Sequence, residues 1–251
     1  MLTIEGVKPY GDYGDKGMQV EQMFDFIAPH YVRLNGVLSV GIDRYWRGKA
    51  TKALRPFAPQ HVLDVATGTG DFAISLCRRL QPRRIVGIDL SAEMLRIGRK
   101  KVAEEGLEDN IRLRHERCDN LSFADGSFDT VTVAFGIRNF DNLTVCLREM
   151  HRVLQPGGRL LVLELSRPVR PPMKQLFMLY AHTVIPWIGS LISRDPSAYS
   201  YLIRSIEAFP QGETMSRILK DDVGFAAVDF KRLTGGICTL YLATKAKNRN
   251  T

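Results

Sequence analysis

The sequence lacks the cysteine patterns that disulfide frameworks and metal sites require. Only four of its 251 residues are cysteines, and no two of them form a CxxC pair or another metal-ligand spacing. We therefore expect reduced, buried thiols and no metal site, as in a cytosolic protein. The first residues, which include Glu5, Asp12 and Asp15, also lack the pattern of a signal peptide.

Long hydrophobic runs, internal repeats and low-complexity tracts are missing as well. Residues 176–192 form a stretch of seventeen positions without a full charge, which is fewer than the roughly 20 that a membrane-spanning helix needs. Pro186 would kink or break a helix there. The segment predicts a helix and a turn that cover a pocket or lie at a lipid interface.

Positive charge is in excess, with a net charge of +8 and a pI of about 9.4. Each basic cluster alone is typical of a solvated helix face, but together they favour an anionic membrane surface or nucleic acid. We expect a cytoplasmic protein that binds the inner face of the membrane peripherally and binds no nucleic acid. The clusters are Arg78, Arg79, Arg83 and Arg84; Arg96, Arg99, Lys100 and Lys101; and Lys245, Lys247 and Arg249.

Strand and helix patterns alternate along residues 61–166. Apolar strands separated by helices predict a parallel sheet that is covered on both faces. Ser91 is expected to cap the second of these helices. Strands are predicted near 61–66, 84–89, 111–115, 128–135 and 158–165, and helices near 71–80, 91–105 and 142–153.

The pattern changes after Ser166. Helices are predicted near 172–192, 197–208 and 213–222, followed by strands near 226–233 and 237–244 that Gly235-Gly236 joins as a hairpin. The expected fold class is α/β, with a seven-stranded, mostly parallel sheet and a C-terminal antiparallel hairpin. We expect one domain, divided into an N-terminal substrate cap (1–60), a cofactor-binding core (61–166), a helical insertion facing substrate or lipid (167–222) and the closing hairpin (223–245).

A glycine loop follows the first core strand. Gly68, Thr69 and Gly70 lie after an apolar run, and Asp89 ends the next strand nineteen positions beyond Gly70. Glycines allow the backbone to pass close to a ligand, and the acid can accept both hydroxyls of an adenosine ribose. With Ala73, the loop also satisfies the dinucleotide pattern.

Two carboxylates favour S-adenosylmethionine over a dinucleotide. Asp64 lies four residues before the first glycine, where a negative charge suits an amino or sulfonium group better than phosphates. Asp71 would place a negative charge near the helix N-terminus that a pyrophosphate needs. Asp71 is also a candidate cap for that helix.

These landmarks make the chain similar to the class I S-adenosylmethionine-dependent methyltransferases. Over nearly its whole length it resembles the ubiquinone/menaquinone biosynthesis C-methyltransferases. The glycine loop and the Pro-Gly-Gly turn are shared widely among methyltransferases, whereas the N-terminal segment and the FGIRN block are more particular to the quinone enzymes. The resembling segments are 31–35 (YVRLN), Trp46, 63–71 (LDVATGTGD), 135–139 (FGIRN), 152–160 (RVLQPGGRL), Glu164 and 199–206 (YSYLIRSI).

The resemblance implies methyl transfer from S-adenosylmethionine to a ring carbon of a polyprenylated quinol. The acceptor would be demethylmenaquinol or the benzoquinol of the ubiquinone pathway. The glycine loop and the FGIRN block resemble those of menaquinone enzymes and favour demethylmenaquinol. The resemblance also implies cofactor contacts from Thr69, Asp89, Arg117, Cys118 and Ala134. With Asp64, Gly68, Gly70 and Asp71, these residues form the predicted cofactor site.

Four residues are candidates for catalysis. Arg138 follows a strand end and a glycine, and is expected to meet either a carboxylate in a structural ion pair or the phenolate of the substrate. Asn139 either orients substrate or caps the 142–153 helix, although Asp141 is better placed as that cap. Tyr201 and His182 are candidates for proton transfer, and both are also ordinary core residues.

Three other functions stay open at this point. A nicotinamide-dependent oxidoreductase would need a stricter loop and a second catalytic domain. An RNA methyltransferase, which the high pI suggests, would normally carry an RNA-binding module. A non-catalytic cofactor-binding subunit is the third alternative, and the intact glycine loop, Asp89 and Arg138 argue against it. The oligomeric state is not readable from the sequence.

Overall fold

The computed structural model describes residues 4–11, 14–38, 41–180, 183 and 196–247, without the side chains of 30–38, 196 and 199. A seven-stranded sheet forms its centre, in the order β3-β2-β1-β4-β5-β7-β6. Strands β1 to β5 are parallel, and β7 runs antiparallel between β5 and β6. The strands are β1 His61–Val65, β2 Arg84–Asp89, β3 Ile111–His115, β4 Phe128–Ala134, β5 Leu154–Leu165, β6 Ala227–Leu233 and β7 Cys238–Thr244.

Helices cover both faces of this sheet. They are α1 Lys16–Leu38, α2 Ile42–Leu54, α3 Asp71–Leu80, α4 Ala92–Glu104, α5 Leu143–Val153, α6 Met173–Leu179, α7 Pro196–Ala208 and α8 Glu213–Arg217, the last continued by a π-helical turn Ile218–Asp222. The predicted strands and helices agree with these bounds within a few residues wherever the structure describes them. The α/β fold class with its closing antiparallel strands is confirmed.

Alternating side chains along each strand build two apolar layers. On one face, Leu63 and Val65 of β1 pack with Leu147 and Met150 of α5. On the other face, Val62 belongs to a cluster with residues of α2 and α3. Because successive strand residues point to opposite faces, an uninterrupted apolar strand is the pattern of a sheet buried on both sides.

The first residues of α4 and α5 show which of the predicted helix caps form. Ser91 Oγ accepts a hydrogen bond from Met94 N (3.1 Å), so the predicted cap of α4 is confirmed. Neither Asn139 nor Asp141 caps α5, because Asn142 takes the extended backbone conformation that a cap needs and its Oδ1 accepts from Val145 N (3.0 Å). Those two cap predictions were wrong.

The helix after the glycine loop starts differently from the prediction. Gly70 precedes α3 in a left-handed conformation and makes no side-chain cap bond, while Asp71 is the first helical residue. The Asp71 cap prediction was therefore wrong, although a carboxylate in the first turn still complements the helix dipole.

The insertion after β5 is described only in part. Helix α6 follows the prediction for 172–192 as far as residue 180, and the remainder of that segment, apart from residue 183, lies outside the described residues. Within the described part of the chain, no helix combines the length and the apolar character needed to cross a membrane. Leu176 and Leu179 on α6 are exposed.

Candidate active site

A cavity opens at the carboxyl ends of β1, β2 and β4. The neighbours of β1 on its two sides are β2 and β4, so the chain crosses over in opposite directions at this point. Ligands of open α/β sheets bind at such a switch point. Gly68, Asp89 and Ala134, all predicted from the sequence to contact the cofactor, line this cavity.

The glycine loop forms one wall. Gly68 has a positive φ of 57°, and a Cβ built on it would meet nothing within 4 Å, so its backbone faces open space. Gly70 also has a positive φ, 76°, and that conformation explains the glycine, since Gly70 is not among the described residues that line the cavity.

Gly136 marks a close approach of the loops after β1 and β4. A Cβ on Gly136 would lie 2.4 Å from the Cβ of Ala66. A side chain at position 136 would therefore push apart two loops that both line the cavity.

Asp89 is held by the loop that it faces. Its Oδ2 accepts from Gly68 N (2.8 Å) and its Oδ1 accepts from Ser91 N (2.9 Å). Burial raises the pKa of this carboxyl, while the backbone donors oppose the increase. A carboxylate has about four acceptor positions, and the backbone donors do not fill all of them, so the carboxylate can also accept from a ligand.

Asp64 lies beneath the loop. It is 1% exposed and accepts hydrogen bonds from the hydroxyls of Thr132 (2.6 Å) and Thr67 (2.7 Å). Burial raises its pKa to about 6. Among the described residues, Asp64 is not part of the cavity lining, and its contact with Thr67 supports the loop from below.

Thr69 and Asp71 form a second supporting contact. Thr69 Oγ1 donates to Asp71 Oδ2 (2.8 Å), and Lys101 Nζ donates to Asp71 Oδ1 (2.8 Å) and Thr69 Oγ1 (3.1 Å). Neither residue belongs to the lining that the described chain provides. These contacts fasten the start of α3 to α4.

The loop after β3 supplies another wall. Arg117 and Cys118, both predicted, line the cavity together with Asp119, which the sequence analysis missed. Arg117 Nη2 donates to Asp119 Oδ2 (2.7 Å), and this bond lowers the pKa of Asp119 and raises that of Arg117. Cys118 Sγ lies 2.8 Å from Cys146 Sγ, and both cysteines are free thiols.

Arg138 meets a carboxylate, the first of its two expected partners. Its Nη1 donates to Glu164 Oε1 (2.8 Å) and to the carbonyl of Phe135 (2.6 Å). The two side chains are 9% and 0% exposed. Arg138 is not part of the cavity lining within the described chain.

Asn139, the next residue, does line the cavity. Its Oδ1 is buried and has no hydrogen-bond partner among the described residues. The Tyr201 hydroxyl is likewise buried and lacks such a partner within the described chain. Burial raises the pKa of Tyr201, partly opposed by the nearby Arg138 charge. His182 lies outside the described residues.

Helix α1 closes one side of the cavity. Gly17, Val20, Glu21 and Phe24 line it, although the sequence analysis assigned this region only to a substrate cap. Asp25 Oδ1 accepts from Ser91 Oγ (2.5 Å), which ties α1 to the start of α4. The apolar spacing of Val20 and Phe24, four positions apart, is the signal that could have revealed this face.

The known proteins that are similar to this chain are methyltransferases. A model of the ubiE/COQ5 methyltransferase family matches residues 13–245. A demethylmenaquinone methyltransferase of Bacteroides fragilis is 57% identical over 96% of this chain and 98% of its own. A ubiquinone/menaquinone biosynthesis C-methyltransferase, UbiE, of Geotalea daltonii is 44% identical over 92% of this chain and 98% of its own.

Solved structures show the same fold. A SAM-dependent methyltransferase of Thermotoga maritima aligns with a TM-score of 0.62 at 19% identity, over 90% of this chain and 99% of its own. The family model covers most of the chain, and the cavity lies where the fold places its ligand site. The chain therefore belongs to the ubiE/COQ5 methyltransferase family.

Proposed function

We propose that this methyltransferase transfers a methyl group to a ring carbon of demethylmenaquinol, a polyprenylated naphthoquinol. The observation that carries the proposal is the 57% identity, along almost the whole chain, to a relative named for that reaction. The benzoquinol of the ubiquinone pathway is the second candidate, because relatives at 44% identity are named for both pathways. S-adenosylmethionine is the methyl donor of this enzyme.

The residues around the cavity fit this donor. Asp89 presents a carboxylate in the cavity lining as the acceptor for the ribose hydroxyls, and the open space in front of Gly68 leaves room for the ligand beside the backbone. Ala134 and Cys118 supply further walls. Bound S-adenosylmethionine provides a methyl group that its sulfonium already activates, so the protein has to align the acceptor and exclude water.

Methyl transfer also requires a negatively charged quinol. A ring carbon becomes nucleophilic when the neighbouring hydroxyl loses its proton, so the reduced quinol is the substrate. We assign Asn139 to binding this hydroxyl while it is protonated, because its Oδ1 is a buried acceptor without a protein partner in the described chain and it lines the cavity. An amide is not a base, so the proton passes to solvent water when the hydroxyl ionises.

Arg138 and Tyr201 lie beside Asn139 in the proposed mechanism. Arg138 supplies a buried cation next to Asn139 in the chain that can stabilise the phenolate, and its bonds to Glu164 and Phe135 fix the turn that carries Asn139. Tyr201 keeps its proton at neutral pH because burial raises its pKa. It is therefore not the base in this proposal, and it is not part of the cavity lining within the described chain.

Labelled-methyl transfer tests the function. We expect the enzyme to methylate a short-chain demethylmenaquinol in the presence of dithionite and to lose this activity when the same compound is supplied as the oxidised quinone, whose ring carbon is electrophilic. Equal activity on both redox states would rule out the phenolate mechanism. Preferential methylation of the matching benzoquinol would move the protein to the ubiquinone step.

We also propose that the protein binds anionic membranes peripherally, since its substrate carries a polyprenyl tail. Exposed apolar residues Val169, Leu176 and Leu179 and exposed basic residues Arg170 and Lys174 lie on and before α6, which follows the carboxyl end of β5. The cavity opens at the same end of the sheet. Mixed basic and apolar surfaces are typical of peripheral membrane contact.

The basic residues around Arg84 are a matched control for this surface. Arg84 begins β2, so it lies at the amino end of the sheet, opposite the cavity. We expect cosedimentation with phosphatidylglycerol vesicles that decreases as ionic strength rises, and that falls in a Leu176→Ser, Leu179→Ser variant. The Arg83→Gln, Arg84→Gln variant should sediment like the unmodified protein. The reverse result would place the membrane surface at the other end.

A further inference from the structure

Lys16 is a buried lysine at the first position of α1. Its side chain is 1% exposed, and its Nζ donates to the carbonyl oxygens of Ile4 (2.7 Å), Phe140 (2.9 Å) and Arg138 (3.4 Å). An ammonium group has three donors and no acceptor, so three carbonyls satisfy it. Burial of such a charge without partners would be costly.

Two of these carbonyls flank a residue of the active site. Arg138 and Phe140 are the neighbours of Asn139 in the chain, and Asn139 and Phe140 both line the cavity. On the other side of the contact, Gly17 follows Lys16 directly and lines the same cavity. One ammonium group therefore joins two cavity walls that are more than 100 positions apart in sequence.

The pKa of Lys16 is lowered by its surroundings but stays above neutral pH. Burial lowers its pKa to about 8, while the carboxylates of Asp141 and Glu5 oppose the decrease and Arg138 adds to it. At neutral pH the side chain therefore carries three protons, one for each carbonyl.

We propose that Lys16 is a positioning residue for methyl transfer: it holds the 137–140 turn against α1, so that the cofactor cavity is closed and Asn139 faces the acceptor. Lys16 touches neither ligand in this proposal and acts through Asn139 and the cavity face of α1. The cofactor half of the proposal concerns S-adenosylmethionine, and the acceptor half rests on the proposed function.

Lys245 provides a matched control. Its Nζ also donates to three main-chain carbonyls, those of His151 (2.7 Å), Leu154 (2.7 Å) and Arg152 (3.4 Å), and burial also lowers its pKa. None of these four residues belongs to the cavity lining within the described chain. Lys16→Met and Lys245→Met therefore remove the same number of hydrogen bonds, near the cavity in one case and away from it in the other.

The experiment compares both variants by calorimetric titration with S-adenosylhomocysteine and by methyl-transfer kinetics, below their melting temperatures. We expect Lys16→Met to weaken binding about tenfold or more and to lower kcat, as for loss of hydrogen bonds to a charged group. Lys245→Met should change only the melting temperature, and Lys16→Arg should restore part of the binding. Equal Kd and kcat in the two methionine variants would overturn the proposal.

Hydrogen exchange on the unmodified protein keeps the test decisive if Lys16→Met does not fold. Binding of S-adenosylhomocysteine should protect the amides of residues 16–24 and 137–140 together, with no change at 151–154. Protection confined to one of the first two segments would contradict the coupling. If no quinol is methylated, the acceptor assignment fails, while the binding and exchange results still decide the role of Lys16.

Discussion

Replacement of Arg138 by lysine is expected to lower methyl transfer by a factor on the order of 10² or more, as for other lost electrostatic stabilisers. Lysine keeps the charge, but its side chain is one atom shorter, so its Nζ does not reach the position of Nη1, from which Arg138 donates to both Glu164 and the carbonyl of Phe135. Labelled-methyl transfer to a short-chain demethylmenaquinol measures the change. Affinity for S-adenosylmethionine should stay nearly intact, because the main-chain bonds by which Lys16 holds the 137–140 turn against α1 remain in this variant.

Arg152 is the matched control for this substitution. Its guanidinium also forms an ion pair, with Glu149 (2.8 Å), and donates to main-chain carbonyls, including that of Phe123 (2.8 Å). It is not among the described cavity residues. Arg152→Lys should therefore cost stability without a comparable loss of turnover. Full turnover in Arg138→Lys would leave Arg138 with a purely structural ion pair and shift attention to Tyr201.

Replacement of Asp89 by alanine is expected to weaken S-adenosylmethionine binding at least tenfold. The carboxylate would accept both ribose hydroxyls, and hydrogen bonds to a charged group contribute about 1.5–3 kcal/mol. The variant also removes the acceptor for Gly68 N, so the loop loses a support. Titration calorimetry measures the affinity directly.

Asp71 separates the ligand contribution from general damage to the loop. It lies three residues beyond Gly68 and pairs with Lys101 and Thr69, but it is not part of the cavity lining in the described structure. Asp71→Ala should therefore leave the affinity within a few-fold of the original value. An unchanged affinity in Asp89→Ala would remove the ribose assignment, and tight binding of NADH by the unmodified protein would revive the dinucleotide hypothesis.

The sheet was predictable because its signals are local. Each apolar run ends in a polar residue or glycine, and the carboxyl ends of parallel strands must meet at one edge of the sheet. That rule brings Asp89, Gly68 and Ala134 together without any knowledge of side-chain contacts. Asp89 in particular combines a strand end with the right spacing from the glycines.

Other parts of the site carry no such signal. Asn139, Asp141 and Asn142 are all capping residue types within four positions, and only the backbone conformation of Asn142 decides between them. Lys16 bonds to carbonyl oxygens, which every residue possesses, so no sequence pattern identifies its partners. Thr69 and Asp71 match the glycine-loop motif of the family. Their side chains nevertheless accept hydrogen bonds from Lys101 of α4, thirty positions beyond Asp71.

The position of β7 has a consequence for the order of assembly. Because β7 lies between β5 and β6, β6 has no place in the sheet until the final strand has been synthesised. Seven residue pairs join β7 to each neighbour. A chain that stopped at Ile237 would lack β7 and would therefore lose the pairing with β5 and the pairing with β6. Until then β5 presents an unpaired edge, which is a site for aggregation. We expect nascent or truncated chains to depend on chaperones during this interval.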